Sequence, residues 1–321
     1  EIQQWILELK NRGIILAVCS KNTKEIAKEV FDKHPSMLLG RDDFASIKCS
    51  WGDKATSILE ICKEVNIDPS SVVFCDDSLA ECELVRSTLP DVRVVHLDPD
   101  VSVRVDQIDN FSFFHSQEIL SDDVHRSESY AARQKAVDLL EKSIDYLSYL
   151  KNLGMRVEIS KVNNSSLPRV VQMESKTNQF NLSTRRLGLS DLNSVVDSND
   201  ALVCTVGLQD KFASHGLISY FSLQFNSDEA RVTDWLMSCR VFSRDIEFAV
   251  LDFIVEQSLS RGCSTLRLLF KRTSKNSYIK ERLELISDSV LPSSSFADGF
   301  DYFVDLNSYD FRRPPIEILH R

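Results

Sequence analysis

Hydrophobic and polar positions follow two different rhythms along this chain. In the first, short unbroken apolar runs are followed by polar turns and then by apolar residues at helical spacing. Ile2, Trp5, Ile6 and Leu9 predict a helix over 2–12, stopped at Gly13. Ile14 to Cys19 reads as a buried strand, Lys24 to Lys33 as a helix and Ala55 to Val65 as another. Val72 to Cys75 is too brief for a helix and predicts a strand buried on both faces. A helix over 79–89 and a strand over 92–95 complete a βαβα order, which predicts a parallel sheet with right-handed crossovers.

The pattern loosens from Pro99 to about Ser127. A long helix over 129–153 follows, with Ala132, Ala136, Leu139, Leu140, Ile144, Leu147 and Leu150 on its stripe and Gly154 at its stop. The second rhythm is one of strands, over 156–159, 202–208, 217–225, 231–237 and 266–270, joined by helices over 167–176 and 246–259. The expected division is a parallel α/β domain over 1–110, a linker and connecting helix over 111–154, and an α+β domain over 155–321.

Candidate chemistry gathers where the predicted strands end. Asp76 and Asp77 close the strand over 72–75, at the rim where open parallel sheets bind ligands. Adjacent carboxylates repel, and a divalent cation with a taste for hard oxygen donors, such as Mg²⁺, relieves that repulsion. Capping of the next helix by one of them is the plainer alternative. Ser20-Lys21-Asn22 follows the first strand as a polar turn into a helix, a natural seat for phosphate. Lys54 opens the helix between them, either to neutralise a phosphate or the carboxylate pair or simply to face solvent.

A second polar concentration is Ser175-Lys176-Thr177-Asn178-Gln179-Phe180-Asn181-Leu182-Ser183-Thr184-Arg185-Arg186. Its amides, hydroxyls and arginines suit a polar or anionic ligand, and suit equally well the capping of helices and the tying of loops. Cys19 and Cys239 each adjoin a polar turn, so each is a candidate acyl-carrying nucleophile as well as a candidate inert core thiol.

The pieces AVCSKN, WGDKATSILEI and VVFCDDSLAE, in this order, resemble motifs II, III and IV of the haloacid dehalogenase (HAD) superfamily, and look like its FkbH-like branch, subfamily IIIC. KTNQFNLSTRR is the most specific phrase shared with that branch, and the resemblance runs essentially end to end. It implies a HAD-like parallel sheet followed by a GNAT-like α+β domain. It also implies that an acyl unit is taken from 1,3-bisphosphoglycerate, a phosphorylated three-carbon donor, that phosphate is released, and that an acyl carrier protein is loaded through its phosphopantetheine arm. Phosphate binding then falls to Ser20, Lys21 and Asn22, charge balance to Lys54, and Mg²⁺ to Asp76 and Asp77.

Two departures from the family pattern stand out. The D-x-D-x-T/V strand that bears the family's nucleophile belongs before Ile14 and at the centre of the sheet, and no such motif lies there; a fragment of a longer protein is the expectation. In the GNAT fold a glycine loop wraps a pyrophosphate, whereas here the loop reads RVFSRD, with Ser243 and Asp245 in place of glycines. Poor coenzyme A binding follows, with Arg185, Arg186 and Arg240 the expected docking site for an acidic carrier protein. The alternatives are a catalytically inactive docking scaffold and an ordinary GNAT-type acyltransferase.

A net charge of −10 over 321 residues argues against nucleic acid as a general partner. No apolar run approaches membrane-spanning length, so a cytoplasmic protein with no membrane partner is expected. The eight cysteines are scattered, mostly inside apolar runs, with no C-x-x-C pair, so neither zinc nor a disulfide framework is suggested.

Overall fold

The computed structural model describes residues 1–114, 132, 135–136, 139–140, 142–198 and 200–320. The chain divides into two units, Glu1–Lys135 and Ala136–Arg321, both of mixed α/β structure.

In the first unit four short strands are each followed by a helix or a helical turn. Strand β1 (Ala17–Ser20) pairs in parallel with β2 (Ser46–Cys49), and β3 (Val73–Asp76) pairs in parallel with β4 (Arg93–His96). Among the described residues these remain two separate two-stranded sheets. One packed layer nevertheless serves both, because Cys19 of β1 lies against the cluster that contains Phe74 of β3, with Ala55, Ile58 and Cys62 of helix Lys54–Val65. The four-residue strands are only half buried: in β3 only Phe74 and Asp76 are covered, which corrects the expectation of burial on both faces. Among the described residues β3 is paired along one edge only, with β4.

The second unit is built on an eight-stranded sheet that runs, edge to edge, Ser289–Pro292, Gly299–Asp305, Thr265–Lys271, Glu229–Met237, Ser214–Asn226, Ala201–Gln209, Arg156–Lys161 and Glu317–His320. Its strands are Arg156–Lys161 (β5), Ala201–Gln209 (β6), Ser214–Asn226 (β7), Glu229–Met237 (β8), Thr265–Lys271 (β9), Ser289–Pro292 (β10), Gly299–Asp305 (β11) and Glu317–His320 (β12). Both faces are covered. Leu202, Cys204, Val206 and Leu208 of β6 enter the larger core with helix Ile246–Ser260, while Val203 joins helices Leu167–Lys176 and Leu189–Val196 on the other face. On β8 the alternation breaks. Ser222 faces Asp234 and Leu223 faces Val232, so Thr233 is a bulge residue. Ala230 and Val232 before it, and Trp235 and Met237 after it, therefore serve the same core.

The long connecting helix is not continuous. The chain bends at 143–145, and a fresh helix, Tyr146–Leu153, begins where the Asp145 carboxylate accepts the Ser148 N–H at 2.7 Å. Much of the 129–153 stretch lies outside the described residues.

Helix Ile246–Ser260 is buried almost all round; Ile246, Val250, Leu251, Ile254 and Val255 have no exposed surface. Each such side chain contributes about 1.5–3 kcal/mol, enough to hold polar groups inside as well. One of these, Asp252, accepts from Tyr309 Oη at 2.8 Å and from the Arg312 and Arg313 N–H groups at 3.2 and 2.8 Å. It pins the 309–313 stretch to the helix. Asp252→Ala leaves three donors without an acceptor and should lower stability by about 2–4 kcal/mol. Urea denaturation should show this as a lower midpoint at unchanged slope.

Candidate functional site

The rim of the first unit brings together side chains that lie far apart in sequence. Asp53 caps helix Lys54–Val65 by accepting from Thr56 N–H at 2.7 Å and Thr56 Oγ1 at 2.9 Å, and this fixes the first turn from which Lys54 projects. The Lys54 ammonium is hydrogen-bonded to Asp76 Oδ2, with 12% and 9% of the two side chains exposed. It also lies 5.9 Å from the centre of the Phe74 ring. The other Asp76 oxygen accepts the Ser78 N–H at 2.9 Å. Asp76 therefore closes the turn after its strand and neutralises Lys54 at once, whereas the cap of helix Leu79–Thr88 is Ser78, whose Oγ accepts the Glu81 N–H.

The other candidates on this rim are placed unequally. Cys19 Sγ lies 3.9 Å from the Lys54 carbonyl oxygen, and burial pushes its thiol up in spite of the nearby ammonium, so it rests as the neutral thiol. Ser20 is half buried and its carbonyl accepts the Ser50 N–H at 3.0 Å. Lys21 Nζ bonds to Glu81 Oε1, while Asn22 Oδ1 accepts the Thr23 N–H at 2.9 Å in the turn before helix Lys24–Lys33. Asp77 stands apart, 68% exposed, with Arg104 Nη2 3.7 Å from its carboxylate. Glu81 was not singled out beforehand, although its Ser-x-x-Glu spacing to Ser78 was legible.

Among the described residues no group of three or more His, Cys, Asp or Glu side chains is gathered to hold a metal. Asp76 and Asp77 still suit Mg²⁺ as donors, because that ion commonly takes one or two carboxylates and completes its octahedron with water and phosphate oxygens. In this structure one Asp76 oxygen is held by Lys54 and the other by the Ser78 N–H, and Asp77 stands apart from them.

In the second unit the polar stretch has a structural use. β8 and β9 pair only from Glu229/Thr265 to Val232/Leu268 and then part. Phe180–Leu182 lies between them: Met237 N–H donates to Phe180 O at 3.1 Å, Leu182 N–H to Trp235 O at 3.0 Å, and Lys271 N–H to Leu182 O at 2.9 Å. Asn181 is fully buried; its amide donates to Thr177 O at 3.1 Å and accepts from Thr184 N–H at 2.8 Å. Arg186 holds the Glu174 and Thr177 carbonyls and Asn178 Oδ1. Arg185 is bonded to the buried Asp234, which also accepts from Ser183 Oγ at 2.5 Å. Gln179 is half buried. Tying of loops, the second of the two uses open to this stretch, accounts for most of its polar groups.

The Arg240 side chain is buried as well, donating to His215 O at 2.6 Å and Leu217 O at 3.3 Å, and Cys239 sits half buried in the same short turn. Of the three arginines expected to form one docking patch, Arg240 is thus buried, whereas Arg185 and Arg186 stay exposed while bonded to groups of the unit. In the RVFSRD loop Ser243 and Asp245 have φ of 61° and 56°, the left-handed conformation that glycine adopts without strain. The Ser243 N–H donates to Tyr278 Oη at 3.3 Å, and the Tyr278 ring stacks on Phe242 at 3.9 Å. Asp245 and the buried Glu247 bring two carboxylates to the start of helix Ile246–Ser260, where a pyrophosphate would need positive potential.

No family model and no curated protein matches this chain. Solved structures do. The N-terminal part of BF1531 from Bacteroides fragilis, containing a phosphatase domain complexed with Mg, is 39% identical over 36% of this chain and 31% of that one, with a TM-score of 0.36. The chain thus spans about a third of the length of that structure. The ribosomal-protein-S18-alanine N-acetyltransferase of Escherichia coli is 16% identical over 47% of this chain and 94% of its own, with a TM-score of 0.34. The PaiA N-acetyltransferase of Thermoplasma acidophilum, solved with coenzyme A, is 15% identical over 46% of this chain and 98% of its own, with a TM-score of 0.37. No helix among the described residues is long and apolar enough to cross a membrane.

Glu174 is a further polar residue that sequence reasoning passed over. It is 1% exposed, and the Leu187 backbone with the nearby Arg185 and Arg186 only partly offsets the cost of burying its carboxyl. Burial, reinforced by Asp234, pushes it up to about 7. A carboxyl raised in this way is neutral in the fold at low pH, and its ionisation costs stability as pH rises from the ordinary glutamate range through about 7. Glu174→Gln should therefore melt higher than the parent chain at pH 8, and the gap should close towards pH 4.5. Thermal denaturation across that range checks the sign.

Proposed function

We propose that the first unit binds a phosphorylated three-carbon acyl donor of the 1,3-bisphosphoglycerate type, and that the second takes part in passing the acyl unit to a carrier protein, as in FkbH-like proteins. The observation that carries this reading is the buried Lys54–Asp76 pair on the rim where β1 and β3 end. The Lys54 side chain has little exposed surface, so its interactions are little screened by solvent. Ser20, Lys21 and Asn22 supply a hydroxyl, an ammonium and turn N–H groups on the same rim for the remaining phosphoryl oxygens. Mg²⁺, when bound through Asp76 and Asp77, would neutralise developing charge on the departing phosphate.

Acyl transfer breaks the bond between the acyl carbon and the phosphate oxygen, forms a thioester, and passes the thiol proton to the departing phosphate. Cys19, beside Lys54, is the thiol on this rim that such a step would use; Cys239 is its counterpart in the second unit. Asp245 and Glu247 oppose the pyrophosphate of coenzyme A, whereas a phosphopantetheine arm carries a single phosphodiester. This favours a carrier protein over free coenzyme A.

Calorimetric titration with 3-phosphoglycerate should give saturable binding that Lys54→Met weakens about 10-fold, the loss of one charge-assisted hydrogen bond. Equal affinity in the two proteins would remove the reading. In a parallel titration a glyceryl-loaded carrier protein should bind more tightly than coenzyme A; the reverse order would favour an ordinary acetyltransferase.

A further inference from the structure

The turn after β3 spells Ser78-x-x-Glu81, the sequence of a capping box, in which the glutamate carboxylate returns to the serine's own N–H. Only half of that box forms. Ser78 Oγ accepts the Glu81 N–H at 3.4 Å, but the Ser78 N–H is taken by Asp76 Oδ1 at 2.9 Å. Glu81 is released from its local role, and its carboxylate reaches Lys21, in the turn that follows β1.

The placement of the pair is unusual for a surface ion pair. The Glu81 side chain is 13% exposed, and its Oε2 is buried without a hydrogen-bond partner. Leaving that oxygen unsatisfied costs stability, which a solvent-facing capping glutamate would avoid. The surroundings are those of the candidate site: Glu81 acts electrostatically on Cys19, together with Lys54 and Asp76, and Lys21 acts on Asp53 at the head of helix Lys54–Val65.

We propose that Glu81 is a positioning residue, which holds the Lys21 ammonium at the rim so that Lys21 and Lys54 approach a phosphoryl group from two sides. Lys21 is a long side chain on a turn, and fixing it beforehand removes much of the rotamer entropy that capture of an anion would otherwise cost. Asp76 makes this arrangement available by taking over the Ser78 N–H. The role rests on the phosphate-site reading above.

The test is a double-mutant cycle on the full chain, titrated with inorganic phosphate and with 3-phosphoglycerate. Glu81→Gln should weaken binding about 5- to 10-fold, and Lys21→Met by at least as much. Glu81→Gln made in the Lys21→Met background should add nothing, because Glu81 acts through Lys21. Its melting temperature should match or exceed that of the parent chain, which a merely structural carboxylate would not allow. Should the amide variant fail to fold, Glu81→Asp keeps the charge, shortens the reach, and should weaken binding in the same direction by less. Unchanged affinity in Glu81→Gln, or losses that simply multiply in the double variant, would overturn the positioning role. Lys54→Met separates this from the site reading: weak binding there beside normal binding in Glu81→Gln removes only the positioning role, whereas no effect of Lys54→Met removes the site itself.

Discussion

Beyond Val232 strand β8 parts from β9, and the backbone groups uncovered by that parting have to be paired inside a dry core. Phe180–Leu182 meets the requirement by lying between the two strands and bonding to both. Much else in the second unit is arranged around this inlay. The Asn181 amide holds the turn on either side of it, Asn276 Nδ2 donates to the Asn181 carbonyl at 3.1 Å, and Arg186 binds the end of helix Leu167–Lys176 to the segment that follows. The bulge at Thr233 lies where β8 turns away, and it restores Trp235 and Met237 to the same core as Val232.

A second theme is that carboxylates in this protein do work away from their sequence neighbours. Asp76 takes the capping hydrogen bond that Ser-x-x-Glu spacing assigns to Glu81, and Glu81 in turn binds Lys21. Asp234 neutralises Arg185, and Asp252 gathers three donors from the 309–313 stretch. Each exchange couples two distant segments through a charge-assisted hydrogen bond, which is stronger than its neutral counterpart. At the head of helix Ile246–Ser260 the same habit places Asp245 and Glu247 where an anion would otherwise be welcome.

Periodicity was enough to find most elements, because a helix or a strand that buries one face must show its repeat in the sequence. Helix Leu167–Lys176 and strands β6 to β9 lie within a few residues of the expected bounds. Strand β2 and helix Leu189–Val196 were missed, as were the elements beyond β9, since short and partly exposed segments carry little of that repeat. The capping of helix Lys54–Val65 by Asp53, the polar turn at Ser20 and the acidic end of β3 were legible for the same local reason. So was the unusual loop, since serine and aspartate at 243 and 245 were readable as replacements for glycine, and both do adopt the left-handed backbone.

Tertiary structure alone decided which polar groups meet. A run such as Asn178 to Arg186 is equally suited to binding a ligand and to tying loops, and only the gap between β8 and β9 selects the second. Arg185, Arg186 and Arg240 read as one positive patch in the sequence, but in the fold each bonds to different groups and Arg240 is buried while the other two stay exposed. Lys54 and Asp76 lie 22 residues apart, and Lys21 and Glu81 lie 60 apart. Hydrophobic patterning is a local property of the chain, whereas the pairing of buried charge depends on which segments the fold makes neighbours, and no local spacing encodes that.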